Sequence, residues 1–270
     1  MTASELRREL SARYLAWAEG LEHEATYGSV PCVLHAEQEG GGHGNFLPAS
    51  WRRIQARSSW RRRLEKTYTA SKRIPHSHDR CRGELEAATS SDALLMNLFC
   101  FPGMLRRPAV LRLLGTAAGL SPSFGVRAEV PLRNGAADRT ELGLRLDDLL
   151  LEAKLTETGF QTARPGLVMR YRDLELCFEP DELPRTPTAD FDSYQLLRGV
   201  LAAHALDCRF AVVLDCRRTD LVERWFAVLR AVHSSDLRSR LQLLSWQELA
   251  SASPTAVRHF LACKYGIEPA

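Results

Sequence analysis

Nowhere does the 270-residue chain approach the roughly 18 consecutive apolar residues that a membrane-spanning helix requires. Its first ten residues mix acids and arginines where a secretory leader would carry an apolar core. Both features point to a cytoplasmic protein. The seven cysteines (Cys32, Cys81, Cys100, Cys177, Cys208, Cys216, Cys263) are odd in number, scattered, and never spaced C-x-x-C. Neither a disulfide framework nor a structural zinc site is expected from that pattern. Cys100, between Phe99 and Phe101, reads as a small core residue. There is no internal repeat and no low-complexity tract. With 45% hydrophobic residues the chain can bury a sizeable core, as one large or two small domains.

Charge is balanced overall but unevenly placed. From Trp51 to Arg82 eleven Lys and Arg face only Glu65 and Asp79, a balance of +9. The remainder of a chain of net charge +3 is therefore −6. Such a run is either a solvated helix face or the footprint of a polyanion, because basic residues beside phosphates release condensed counterions.

Apolar spacing of three to four from Leu6 to Leu21 predicts an amphipathic helix over residues 3–24. A Gly- and His-rich loop over 35–48 follows, holding His43-Gly44-Asn45-Phe46. Trp51, Ile54, Trp60 and Leu64 then space as the buried stripe of an arginine-rich helix that Pro75-His76-Ser77-His78 ends. Ser90-Ser91-Asp92 caps a helix running to Phe101, and Pro108 and Gly119 frame another. Strands are expected over 126–132, 141–146 and 149–155, as an antiparallel meander. A helix over 193–205, a strand over 209–214, a helix over 220–232, a strand over 241–244 and two terminal helices complete an α/β chain, a mixed sheet with helices on both faces. The expected division is an N-terminal helical, basic segment, 1–83, and a core, 84–270.

The hairpin closed by Asp147-Asp148 gathers the chemistry. A two-residue turn pairs Leu146 with Leu149, sets Gly143 opposite Glu152 and Glu141 opposite Lys154. Period-two alternation then puts Glu141, Glu152 and Lys154 on one face, and Leu142, Leu144, Leu146, Leu149, Leu151 and Ala153 on the other. Two carboxylates held close repel each other unless a cation joins them. Glu141, Glu152 and the Ala153 carbonyl offer hard oxygens suited to Mg²⁺ or Mn²⁺, with Lys154 at the same edge to orient a water or offset charge at phosphorus. An ordinary solvated strand face with a cross-strand Glu141–Lys154 ion pair fits the same spacing.

The string Leu149-Leu150-Leu151-Glu152-Ala153-Lys154 resembles the E-x-K half of the PD-(D/E)XK motif of restriction-endonuclease-like nucleases. Its flanks, Arg139-Thr140-Glu141-Leu142 and Lys154-Leu155-Thr156-Glu157, resemble a bacterial branch in which the catalytic lysine opens a K-x-T-E string. The likeness runs on through Ser90-Ser91-Asp92, Gln195-Leu196-Leu197-Arg198 and Lys264-Tyr265, and takes in His43 to Phe46 and Trp60 to Lys66. It implies a restriction-endonuclease-like mixed sheet, a Mg²⁺-dependent nuclease acting on DNA with RNA left open, and a homodimer where both strands are cut. It also implies catalytic roles for Glu141, Glu152, Lys154 and Gln195. Nucleic-acid contacts are expected from Arg52, Arg53, Arg61, Arg62, Arg63, Lys66 and Arg198. Gly143 departs from the pattern, standing where the family's first metal-binding Asp is usual. The alternative reading is thus a degenerate relative that binds nucleic acid without cleaving it. His43 is expected in a structural or substrate-contacting loop, and Asn97 in capping or packing.

Overall fold

The computed structural model describes residues 1–26, 30–67 and 82–270. The helix end expected at Pro75-His76-Ser77-His78, and Lys72, Arg73 and Arg80 of the basic run, lie outside the described residues. Two compact units emerge, one of Met1–Ser123 with Trp246–Ala270 and one of Phe124–Ser245. The division expected at residue 83 therefore falls inside the first unit. The basic helices bond to the helix that follows residue 90.

In the first unit α1 (Ala3–Ala18) opens on a capping box between Thr2 and Glu5 and buries Leu6, Leu10 and Tyr14. It stops before residue 24 because Gly20, at φ +77°, turns the chain into β1 (His23–Ala25). That strand pairs antiparallel with β2 (Val33–His35). The single arginine-rich helix expected is two, α2 (Pro48–Gln55) and α3 (Ser58–Arg61), broken where Arg57 adopts an extended backbone. Trp51, Ile54 and Trp60 are nonetheless its buried stripe. Ser90 accepts from the Ala93 N–H at 3.1 Å and caps α4 (Ser91–Phe99). Leu47 N–H and Ser50 Oγ each bond to Asn97 of α4 at 2.7 Å, which seats α2 on that helix. Next, α5 (Pro108–Leu114) ends at left-handed Gly115 rather than near Gly119.

The second unit carries the sheet. The strand expected over 126–132 is divided: β3 (Ser123–Arg127) joins the main sheet, whereas β4 (Val130–Pro131) and β5 (Ala137–Asp138) form a ribbon of their own. Then come β6 (Glu141–Leu146), β7 (Leu149–Ala153), α6 (Pro165–Val168), α7 (Leu174–Cys177), α8 (Tyr194–Ala205), β8 (Arg209–Leu214), α9 (Thr219–Arg230), α10 (Ser235–Ser239) and β9 (Leu241–Ser245). Strand order is β3-β6-β7-β8-β9, with β6 and β7 antiparallel and β7, β8 and β9 parallel. This is the mixed, helix-flanked α/β sheet expected. Leu150, Phe210, Val212, Leu197, Val200, Trp225 and Val228 share its core on the side where α8 and α9 pack.

The chain then returns to the first unit as α11 (Trp246–Ala252) and α12 (Thr255–Tyr265). Tyr265 meets Tyr14 edge-on at 5.7 Å and Phe260 meets Trp17 at 5.4 Å. Lys264 is fully buried, donating to the Asn45 carbonyl at 3.2 Å and to Asn45 Oδ1. Burial pushes its pKa well below the ordinary lysine value. Asn97 Nδ2 donates to the same Asn45 carbonyl at 3.0 Å, and Trp17 Nε1 to the Gly44 carbonyl at 3.0 Å. His43-Gly44-Asn45-Phe46 is thus a latch joining α1, α4 and α12.

Candidate active site

The Asp147-Asp148 turn gives the register that its length dictates: Leu146 opposite Leu149, Arg145 opposite Leu150 and Leu144 opposite Leu151. Asp147 takes φ +55° in the turn, and Asp148 accepts from the Arg209 guanidinium through both carboxylate oxygens at 2.8 Å. On β7, Glu152 lies opposite Val212 of β8, which puts it on the same face as Leu150 and Phe210. Lys154 follows the strand, its N–H donating to the Val213 carbonyl at 2.8 Å. Two residues apart, the side chains share a face, and Lys154 Nζ donates to Glu152 Oε1 at 2.9 Å. Both are well shielded, at 5% and 13% side-chain exposure, so the pair sits where charge interactions are strong. The second Glu152 oxygen has no hydrogen-bond partner among the described residues. Past the strand, Glu157 accepts from the Leu155 N–H at 2.6 Å and folds the K-x-T-E string back on itself.

Phe160 links this pair to α8. Its ring lies 5.7 Å from the Lys154 ammonium, and its carbonyl accepts from the Gln195 N–H at 2.9 Å. Gln195 thus sits in the first turn of α8, bonded to the backbone of the residue whose ring meets Lys154, with Oε1 buried and without a hydrogen-bond partner among the described residues. Arg198, one turn on, lies over the Tyr194 ring at 4.9 Å and lines a recess with Asp138, Thr140, Leu142 and Ala202. Asp138 carries no local signal that sequence reasoning could have used. It accepts from Thr140 N–H at 2.9 Å, Thr140 Oγ1 at 2.5 Å and Tyr171 Oη. Burial works to raise its pKa, but those hydrogen bonds outweigh it and hold the carboxyl below the usual range. With both oxygens engaged, Asp138 anchors Tyr171, which in turn bonds Tyr194 at 2.8 Å.

Burial alternates along β6 as expected, half-buried at Glu141, Gly143 and Arg145 and buried at Leu142, Leu144 and Leu146. Leu142 lines the recess with two residues of α8 and shares the core of Leu150 and Val212, whereas Leu144 pairs with Leu151 on the opposite face. The pairing of β6 with β7 runs from Leu146 to Leu144. Glu141 is half-buried at the start of β6. Ala153 is buried at the end of β7, opposite Val213. Among the described residues no three His, Cys, Asp or Glu side chains converge as a metal-holding group.

The basic residues separate into two sets. Arg52, Arg53, Arg61 and Arg62 are exposed on α2, α3 and the turn beyond. Arg63 is 9% exposed and ion-paired with Asp92, and Lys66 pairs with Asp92 at 2.8 Å and Glu84 at 3.0 Å. Burial opposes the Lys66 charge, yet Asp92 and Glu84 overcome it and hold its pKa above the ordinary lysine value. Arg63 and Lys66, expected among the nucleic-acid contacts, are both turned to the buried acid Asp92. No helix of the described residues is long and apolar enough to cross a membrane.

An E-x-K pair on the third strand of a five-stranded mixed sheet is the frame of a restriction-endonuclease-like core. A family model described as Restriction Endonuclease associating with ARP matches residues 12–266. The chain belongs to this family. The match spans both compact units, so the REase-ARP pattern embraces the latch and the basic helices as well as the sheet. Membership sets the chain among nucleases, whose substrates are nucleic acids. No curated protein gives a match, and no solved structure does.

Proposed function

We propose that this REase-ARP member is a Mg²⁺- or Mn²⁺-dependent endonuclease that hydrolyses DNA phosphodiesters with the Glu152–Lys154 pair. The observation that carries the reading is the shielded 2.9 Å contact between those side chains at the end of β7. Glu152 offers the metal a hard oxygen donor, and Glu141 and the Ala153 carbonyl are the further donors assigned to it. When bound, the ion lowers the pKa of water and polarises a phosphoryl oxygen. Lys154 holds Glu152 through their 2.9 Å hydrogen bond and offsets charge building on the scissile phosphate. Gln195, whose Oε1 awaits a donor, orients a water from the α8 side. Arg52, Arg53, Arg61, Arg62 and Arg198 contact phosphates. Cleavage of both strands calls for a homodimer, and action is cytoplasmic. The family description names association with ARP, which we extend to this chain.

Plasmid nicking in Mg²⁺ tests the reading. Wild type should cut, EDTA should stop it, and Glu152→Ala should abolish both cutting and Mn²⁺ binding, while Lys154→Met should lower the rate at least about 100-fold, the scale of losing one charge-stabilising donor. Gly143 in place of the usual acid favours the second reading, a binding protein that does not cut. Plasmid left intact by wild type, with Mn²⁺ binding unchanged by Glu152→Ala, would establish that second reading.

A further inference from the structure

Two long stretches of the first unit contain no Asp and no Glu, residues 40–64 and residues 93–123. They are far apart in sequence but packed on each other. Ser50 bonds to the Asn97 carbonyl at 2.7 Å, Arg53 to the Cys100 carbonyl at 3.1 Å, Arg57 to Ser121 Oγ, and Trp60 Nε1 to the Pro122 carbonyl at 2.9 Å. Together they expose eight cations (Arg52, Arg53, Arg57, Arg61, Arg62, Arg106, Arg107, Arg112), and every one is an arginine. Among the described residues none of the eight forms an ion pair with a carboxylate. A merely solvated surface intersperses both signs; these two packed segments contribute cations only.

The face is also partly held in place. Arg53 and Arg57 lie over the Trp60 ring at 5.5 and 4.4 Å, and Trp60 is itself buried. Guanidinium groups so fixed lose less freedom on meeting an anion, and their planar donors match phosphate oxygens. A partner that stacked its bases would need exposed rings. Neither stretch has an exposed large apolar side chain among the described residues, since Trp51, Trp60, Phe46 and Phe99 are all buried.

We infer that this arginine face of the first unit grips the phosphate backbone of duplex DNA, without reading its sequence, and tethers the substrate separately from the Glu152–Lys154 chemistry of the second unit. The inference rests on the nuclease reading for its choice of polyanion. It adds Arg57, Arg106, Arg107 and Arg112 to the contacts and drops Arg63 and Lys66.

The test is fluorescence anisotropy of the full chain in EDTA, with a labelled duplex and each of its single strands, across a salt series. The duplex should bind more tightly than either strand. Arg52→Glu/Arg61→Glu/Arg62→Glu should weaken duplex binding at least about tenfold and flatten the slope of log affinity against log salt by about 3, near 0.9 for each phosphate no longer neutralised. Arg106→Gln/Arg112→Gln, which introduces no new charge, should flatten it by about 2 by the same rule. Circular dichroism melting of each variant checks that it is folded. Folded variants with wild-type affinity and slope, or single strands bound as tightly as duplex, would overturn the inference. Failure of the nuclease reading looks different: intact plasmid in Mg²⁺ alongside arginine-dependent duplex binding leaves the tether standing. Conversely, cutting by the triple variant at unchanged KM removes the tether and leaves the nuclease.

Discussion

Gly199 stands in the interior of α8, where glycine costs roughly 1 kcal/mol relative to alanine. The reason is close approach: a Cβ there would lie 2.2 Å from Phe210 Cζ of β8. Helix and sheet touch at this point, and Phe210 is a neighbour in register of Leu150, one pleat from Glu152. Gly199→Ala should therefore destabilise the chain by about 1–3 kcal/mol, the usual cost of overpacking. In urea the midpoint should drop with an unchanged slope; an unaltered midpoint would mean that α8 stands off the sheet. Residue-scale chemistry was legible where it is local. Glu152 and Lys154 lie two apart on an extended chain, so their shared face followed from the period of a strand. Asp138 was not legible, because its partners Tyr171 and Arg198 come to it only through the packing of distant loops.

Elements bounded by strong local signals emerged with their expected limits or close to them. The strand at Arg209–Leu214, α8, and the Ser90 cap of α4 are examples, since apolar runs and caps are written within a few residues. Elements shaped by distant partners differed. The arginine-rich helix breaks in two at Arg57, whose side chain is drawn to Ser121 and over Trp60. Arg63 and Lys66 turn inward to Asp92, an acid that a charge count along the run omits. This knot ties the turn after α3 to the start of α4. Asp92→Ala would remove the carboxylate that buried Arg63 and partly buried Lys66 share, and the expected loss is about 3–5 kcal/mol, typical of breaking a buried pair from one side. Thermal unfolding would register it. A shift no larger than that of an exposed-arginine substitution such as Arg62→Ala would show the knot to be dispensable.

Over the whole molecule, His35, buried, and His43, half-buried, lie at the latch without a carboxylate partner among the described residues. Burial, aided by the Lys264 charge, pushes His35 down to about 3 and His43 to about 4 from an ordinary 6.5. The unfolded chain therefore takes up protons below pH 6.5 that the folded one refuses. Stability from this source is full above pH 6.5 and falls as the pH drops from there toward 4 and 3. Unfolding free energy measured in urea should be lower at pH 5 than at pH 7.5. His35→Phe should shallow that dependence, as both ring nitrogens of His35 are buried without hydrogen bonds. An equally steep profile in the variant would assign the acid sensitivity to other groups.

The first unit is assembled from both ends of the matched sequence, with the sheet unit threaded between them. On a ribosome, α1 and the arginine face emerge early but must wait for Lys264, made more than 200 residues after Asn45, before the latch can shut. The continuous sheet unit has no such wait. It can fold while the flanking segments are still incomplete, so a chain cut short before α12 would present a finished sheet on an unfinished first unit.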